Sequence, residues 1–200
     1  MKISNAVEIC NLALVRIEQN SISSLDDDSV QGQFCKMVYE QSKSSLLSRY
    51  NWTFAITTSR LTRLDTTELI DYKYSYQLPA DFLRLVGVYS GTDTELIQIT
   101  GYKPPFILEG DVIKSDVDTI KIKYVRDVDT VATFSPLFVD CFVLDLAIRL
   151  TKLFNSSTTY LQMLTMEFAQ KIAEAKISDC QQTMLNQIRS YPLLFSTWEF

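Results

Sequence analysis

Residues 42–64 read SKSSLLSRYNWTFAITTSRLTRL, and the period of the chain changes inside them. Up to Tyr50 the apolar positions Val30, Phe34, Met37, Val38, Leu46, Leu47 and Tyr50 recur at helical spacing, which predicts a helix from about Ser29 to Tyr50. On this helix Lys36, Glu40 and Lys43 are expected to face outward. From Thr53 the period is 2, and FAITTSRLTRL alternates as a strand does. Three aromatics, Tyr50, Trp52 and Phe54, stand at the switch. They are read as the seam core that closes the helix and sets the angle at which the chain enters the strands. A base-stacking platform is the competing reading, and it suits a basic groove better than this acidic chain.

Upstream, Asn5 to about Glu18 reads as a first helix, capped by Ser4 or by Asn5 paired with Glu8. Val7, Ile9, Cys10, Leu12, Ala13, Leu14 and Ile17 cover most of its circumference, so it is expected to be largely buried. Downstream come short apolar segments: YKYSYQL with Tyr72, Tyr74, Tyr76 and Leu78 on one face, then LRLVGVY, ELIQITGY, FILEGDVI and TIKIKYV. Turn signals at LPAD, SGTD, YKPP, EGD and SDVD separate them. Strands in series without crossover helices imply an antiparallel meander, sandwich or small barrel.

Helix returns at Ser135-Pro136, a cap followed by proline in the first turn, and Leu137–Phe154 is densely apolar. A long amphipathic helix is expected from about Thr159 to Arg189, with its stripe at Leu161, Leu164, Phe168, Ile172 and Ala175. The expected fold class is α+β. A bundle of about four helices (1–53 and 134–190) carries an inserted antiparallel β-module (54–133) and ends in an apolar tail (191–200).

Composition narrows function. The chain has 200 residues, a formal net charge of −5 and no histidine. Ser-His-Asp and Cys-His catalysis and histidine metal sites are therefore excluded. Cys10, Cys35, Cys141 and Cys180 form no CxxC pair and read as small buried hydrophobes in a reducing compartment. Asp26-Asp27-Asp28 precedes a helix and reads as capping, since the alternating ligands and glycine bend of a calcium loop are missing. Asp81 reads as a turn residue after Pro79 rather than a general base, and the tyrosine ladder as a core or interface face rather than a stacking surface. No catalytic residue, metal ligand or cofactor site is expected. MKISNAVEIC lacks the features of a secretory signal, and no run of 18 apolar residues occurs, so synthesis in a cytoplasm and no membrane span are expected. In the tail, Tyr191, Leu193, Leu194, Phe195, Trp198 and Phe200 must either fold back or dock on a neighbouring subunit or partner, and docking is preferred.

The order NLALVRI, ISSLDDDS, LLSRYNWTFA, YSYQLPADFLRL, EGDVI, then IKYVRDVD and FSPLFVDCFVLDLAIRL resembles the tail tubular protein A family. These are the head-to-tail adaptors (connectors) of short-tailed bacteriophages, the podoviruses. Order and spacing over about residues 5–175 carry the resemblance. Asn51 stands where proline is common, Thr53 where asparagine is, Phe82 where cysteine is frequent, and Glu18 where glycine often ends the first helix. The resemblance implies a structural virion protein at the tail neck, forming a ring, usually of twelve copies, between the phage portal protein and a tail nozzle of the tail tubular protein B type. DNA would pass through the lumen without specific binding, past walls that an acidic chain keeps from sticking. The alternatives are another phage neck or stopper component, or a carboxylate-based hydrolase with two buried acids in a cleft. The long helix and the β-module are the expected opposing faces of a closed ring.

Overall fold

The computed structural model describes residues 3–65, 71–90, 104–154 and 157–190, with side chains as far as Gln182. The fold is α+β, with four helices and antiparallel sheets among the described residues. The chain divides into two compact units, with breaks at Phe54/Ala55 and Val128/Asp129 against the expected 53/54 and 133/134.

In the helical unit, α1 (Ala6–Arg16) starts at Asn5, whose side-chain oxygen accepts the Glu8 amide at 2.9 Å. The Glu8 carboxylate in turn accepts the Ser4 amide at 2.7 Å, so two free donors are satisfied reciprocally. The helix closes with the Gln19 amide on the Leu14 carbonyl at 2.9 Å and the Glu18 amide on the Val15 carbonyl at 3.1 Å. This closure needs a left-handed residue between them, and Glu18 occupies it with φ of 58°. α1 buries one face through Ile9, Cys10, Ala13 and Leu14, while Leu12 and Val15 are exposed. The expectation of a largely buried helix is thus corrected: α1 has one main neighbour, α3, and a single neighbour covers one side.

α2 (Val30–Ser48) is capped by Ser29, whose hydroxyl accepts the Gly32 amide at 3.1 Å. Gly32 is required by close approach, since a Cβ there would lie 2.3 Å from the Asp27 carbonyl oxygen. The three aspartates before it have separate duties, and a serine rather than an acid caps the helix. Asp26 pairs with Lys36 at 2.6 Å, Asp27 accepts the Ser29 amide at 3.0 Å, and the Asp28 carbonyl accepts the Gln33 side-chain amide at 3.2 Å. The Ser29 amide is the main reason the Asp27 carboxyl is held below its usual range. Lys43, expected to face outward, is buried. Its ammonium meets Asp129 at 2.7 Å and Glu40 at 2.8 Å, so the stem is covered while the charge is matched by two exposed carboxylates.

α3 (Pro136–Leu153) is capped by Ser135 and buried on nearly every side, against α1, α2 and α4. Its one buried carboxylate, Asp145, accepts the Ser42 hydroxyl at 2.6 Å and the Arg149 side chain at 2.7 Å. α4 (Thr158–Ser190) runs for 33 residues, about 50 Å. Cys10, Cys35 and Cys141 are buried as expected. A hydrogen bond between the Cys10 and Cys35 thiols pushes the first up and the second down from the ordinary thiol range, and burial adds to the rise at Cys10. Cys180 is corrected to exposed, because it lies on the side of α4 away from the buried stripe.

The second unit holds two antiparallel sheets. Strands β1 (Ile56–Arg60), β7 (Ile120–Arg126) and β4 (Phe82–Ser90) form one, in the order β1-β7-β4. Strands β2 (Thr62–Leu64), β3 (Tyr74–Gln77), β6 (Val112–Ser115) and β5 (Phe106–Glu109) form the other, in the order β2-β3-β6-β5. Side chains of both sheets share one core: Val88, Ile120, Ile122 and Tyr124 with Tyr76 and Ile113, and with Leu61 and Leu78 from the connections. FAITTSRLTRL, expected as one strand, is two. After a 3-10 turn at Thr53–Ala55 the chain runs in one sheet to Arg60, passes buried Leu61, and enters the other sheet at Thr62. The Leu61 amide still bonds the Ile120 carbonyl at 3.0 Å, so the change of sheet costs no hydrogen bond there. EGD forms the two-residue β5–β6 turn, with Gly110 at φ of 59° in the first central position. ELIQITGY, read as a strand, lies outside the described residues, as does the tail 191–200.

The tyrosine ladder belongs to the interior. Tyr72 and Tyr76 are buried and donate to the Pro104 and Val117 carbonyls at 2.9 and 2.6 Å, and Arg63 lies 4.1 Å from the centre of the Tyr74 ring. Asp81 follows the Pro79 turn and accepts the Tyr124 hydroxyl at 2.9 Å. Burial, helped by that bond, pushes Tyr124 up to about 12.

Replacing Glu18 by glycine relieves the left-handed strain but loosens the unfolded chain, for a net gain of about 0.5–1 kcal/mol. Thermal unfolding of E18G followed by circular dichroism is expected to show a midpoint raised by about 1–4 °C. A lowered midpoint would show that Glu18 is not held left-handed.

Candidate functional site

α2 ends at Ser48, and the next residues turn its open end into an aromatic anchor. Trp52 is fully buried, and its indole N–H donates to the Leu46 carbonyl at 3.0 Å, beside the longer bond that this last-turn carbonyl accepts from the Arg49 amide at 3.3 Å. Its ring meets Tyr50 at 5.2 Å and Phe138 of α3 at 5.1 Å, both edge to face, and lies nearly parallel to Phe54 at 6.3 Å. Phe54 packs on Phe138 and Phe134 at 5.0 and 5.5 Å. The three aromatics singled out at the switch are therefore together, and the rings they meet belong to the helical unit.

α4 holds the same stretch from another side. Asp179 is buried and accepts the Thr53 amide at 3.1 Å and the Thr53 hydroxyl at 2.9 Å. The Tyr50 hydroxyl donates to the Lys176 carbonyl at 3.4 Å, and the Arg49 guanidinium lies 5.5 Å from the centre of the Phe168 ring. Sequence reading missed Asp179. Its signal was phase, because it continues the buried stripe of Phe168, Ile172 and Ala175, where a lone carboxylate requires a polar partner. A cleft of about 220 Å³ lies beside it, lined by Ser135, Pro136 and Leu137 of the α3 start and by Ala175, Ser178 and Gln182. Among the described residues the buried carboxylates are Asp145 and Asp179, and both are engaged in holding helices and turns together.

The opposite side of α4 has a different character. Gln162, Met166, Ala169, Ala173, Ile177 and Cys180 are all exposed and follow one another at intervals of four, three, four, four and three residues. From Gln162 to Ala173 this is an 11-residue repeat, which keeps a stripe almost straight along a helix. None of these positions carries a charge. The charged residues of this stretch lie outside the stripe, and three of them are tied up in pairs: Glu167 with Arg16 at 2.8 Å and Glu174 with Lys171 at 2.9 Å. Met166 and Ile177 are 70% and 62% exposed, values that place large apolar groups in water. Around Met166 a shallow groove of about 480 Å³ is lined by Leu161, Gln162, Thr165 and Ala169. Tyr191, Leu193, Leu194, Phe195, Trp198 and Phe200, the expected interface of the tail, lie outside the described residues.

No protein-family model matches the chain, and no curated protein matches it.

Trp52→Ala removes a fully buried ring and is expected to cost about 3–5 kcal/mol, measured by urea unfolding of the full chain. Asp179→Ala leaves the Thr53 donors without their acceptor and is expected to cost about 1–3 kcal/mol. Losses below about 1 kcal/mol in both variants would show that this stretch is not anchored by its ring contacts and by Asp179.

Proposed function

We propose that the chain is a structural virion protein, a head-to-tail adaptor that assembles as a ring between a phage portal and its tail nozzle, with DNA passing through the lumen during ejection. The observation that carries the reading is the exposed, uncharged face of α4. A soluble chain that carries methionine and isoleucine in series on the outside of a long helix is built to meet another surface. Burying each such side chain is worth about 1.5–3 kcal/mol.

A ring would cover the groove at Met166 by setting one face of each copy against a different face of the next. The resemblance in motif order supports the placement at the portal vertex. No helix among the described residues is long and apolar enough to cross a membrane.

The test introduces charge into the face with Met166→Asp and Ile177→Asp together, changes at exposed positions that leave the fold intact by circular dichroism. Native mass spectrometry and negative-stain microscopy, with and without the cognate portal, are expected to show rings for the parent chain and none for the variant. Deleting residues 191–200 is expected to weaken assembly while unfolding is little changed. A double variant that assembles like the parent would overturn the role of α4, and a parent chain that stays monomeric on its portal would overturn the adaptor reading.

A further inference from the structure

The three-stranded sheet has a second face, turned away from the shared core. Because directly paired residues lie on the same side of a sheet, the register determines its contents. With Ile120 and Ile122 inward, Lys121 and Lys123 of β7 point outward. Arg60 of β1 and Tyr89 of β4 stand directly opposite Lys121, and Thr58 of β1 stands opposite Lys123. Arg60 and Thr58 are exposed, and both lysines and Tyr89 are half-buried.

This arrangement is unfavourable taken alone. Arg60 and Lys121 are like charges on neighbouring strands, a pairing that destabilises a sheet, and Lys123 stands two residues further along β7. Among the described residues none of the three cations has a side-chain hydrogen bond or an ion pair. Four acids of the same unit serve elsewhere: Asp118 pairs with Arg63, Glu109 with Lys114, Asp116 accepts the Lys73 amide and Asp111 accepts the Gln77 side chain. A chain of net charge −5 thus gathers three positive charges on one small area, with no counter-charge beside them among the described residues.

We propose that this face binds the phosphate backbone of nucleic acid. The side chains it offers, lysine, arginine, threonine and tyrosine, are those that contact phosphates. The asparagine and glutamine amides that read adenine edges are missing from these five positions. The lysines are about 6.8 Å apart along β7, a spacing that suits a run of phosphates rather than a single small anion. Contacts confined to phosphates make binding independent of base sequence, weak for a single chain and steeply dependent on salt. The acidic total charge governs the approach of DNA at long range, and the sheet face acts at contact. The inference does not depend on the adaptor reading.

The experiment measures fluorescence anisotropy of a labelled random-sequence duplex DNA against the full chain over a range of salt concentrations. Three phosphate contacts give a slope of log K on log salt of about −2.7, or roughly a 40-fold loss between 50 and 200 mM salt. Lys121→Gln with Lys123→Gln is expected to flatten the slope to about −0.9, while Lys121→Arg with Lys123→Arg keeps it near −2.7. A thermal midpoint equal to the parent's shows that the glutamine variant is folded. No binding at low salt, or a slope that the glutamine variant leaves unchanged, overturns the proposal. So does a variant that loses only self-association, since the face would then receive the acidic surface of a second copy.

Discussion

The helical unit depends on the burial of α3, and that burial depends on Trp52. A helix apolar on nearly every side has to be surrounded, and α1, α2 and α4 surround this one. The chain segment leaving α2 completes the enclosure near the start of α3, where Phe138 receives the rings of Trp52 and Phe54. Trp52 joins two functions that are usually separate, since its ring fills space against α3 while its N–H closes the end of α2. Asp179 then ties the same segment to α4 through Thr53. Three helices thus converge on six consecutive residues, 49–54, immediately before the chain enters the sheets.

That convergence explains why aromatics stand where the period changes. A chain leaving a helix for a strand exposes carbonyls that neither element can satisfy, and large side chains with one polar atom can cover and bond them together. Trp52 does this at the Leu46 carbonyl, beside the Arg49 amide, and Tyr50 reaches across to the Lys176 carbonyl within α4. The half of α4 opposite its buried stripe has no such duty. Its exposed methionines and isoleucine add nothing to the fold of a single chain, which is why the proposed assembly surface is placed there.

Much of this was legible in the residues themselves. The change from period 3.6 to period 2 located the passage from helix to strand within three residues. Asn5, Ser29 and Ser135-Pro136 marked the helix starts, because a cap is a local interaction between a side chain and amides two or three residues away. Ile120, Ile122 and Tyr124 announced their inward face by alternation. The hidden features depend on neighbours distant in sequence. Lys43 looks solvated until Asp129 arrives beside Glu40, and Leu12 and Val15 look buried until α1 turns out to have one main neighbour. The split of FAITTSRLTRL between two sheets left one trace, a break of phase, since Phe54 and Ile56 share one parity, Leu61 has the other and Leu64 returns to the first. At the candidate sites, the seam aromatics were visible as a cluster. Asp179, and the like-charged pair of Arg60 and Lys121, needed helix phase and strand register to be seen.

The passage at Leu61 has a consequence for how this chain tolerates length changes. One residue links a strand of one sheet to a strand of the other, and its side chain is itself part of the shared core. Side-chain direction alternates along a strand, so one residue added or removed at this point would turn Thr62–Leu64 over relative to Ser75–Gln77. The loops of most β-proteins absorb insertions freely. Here the linkage works as a gauge of fixed length, and variation in the β-unit is confined to residue identity at that point, with length variation left to the turns elsewhere.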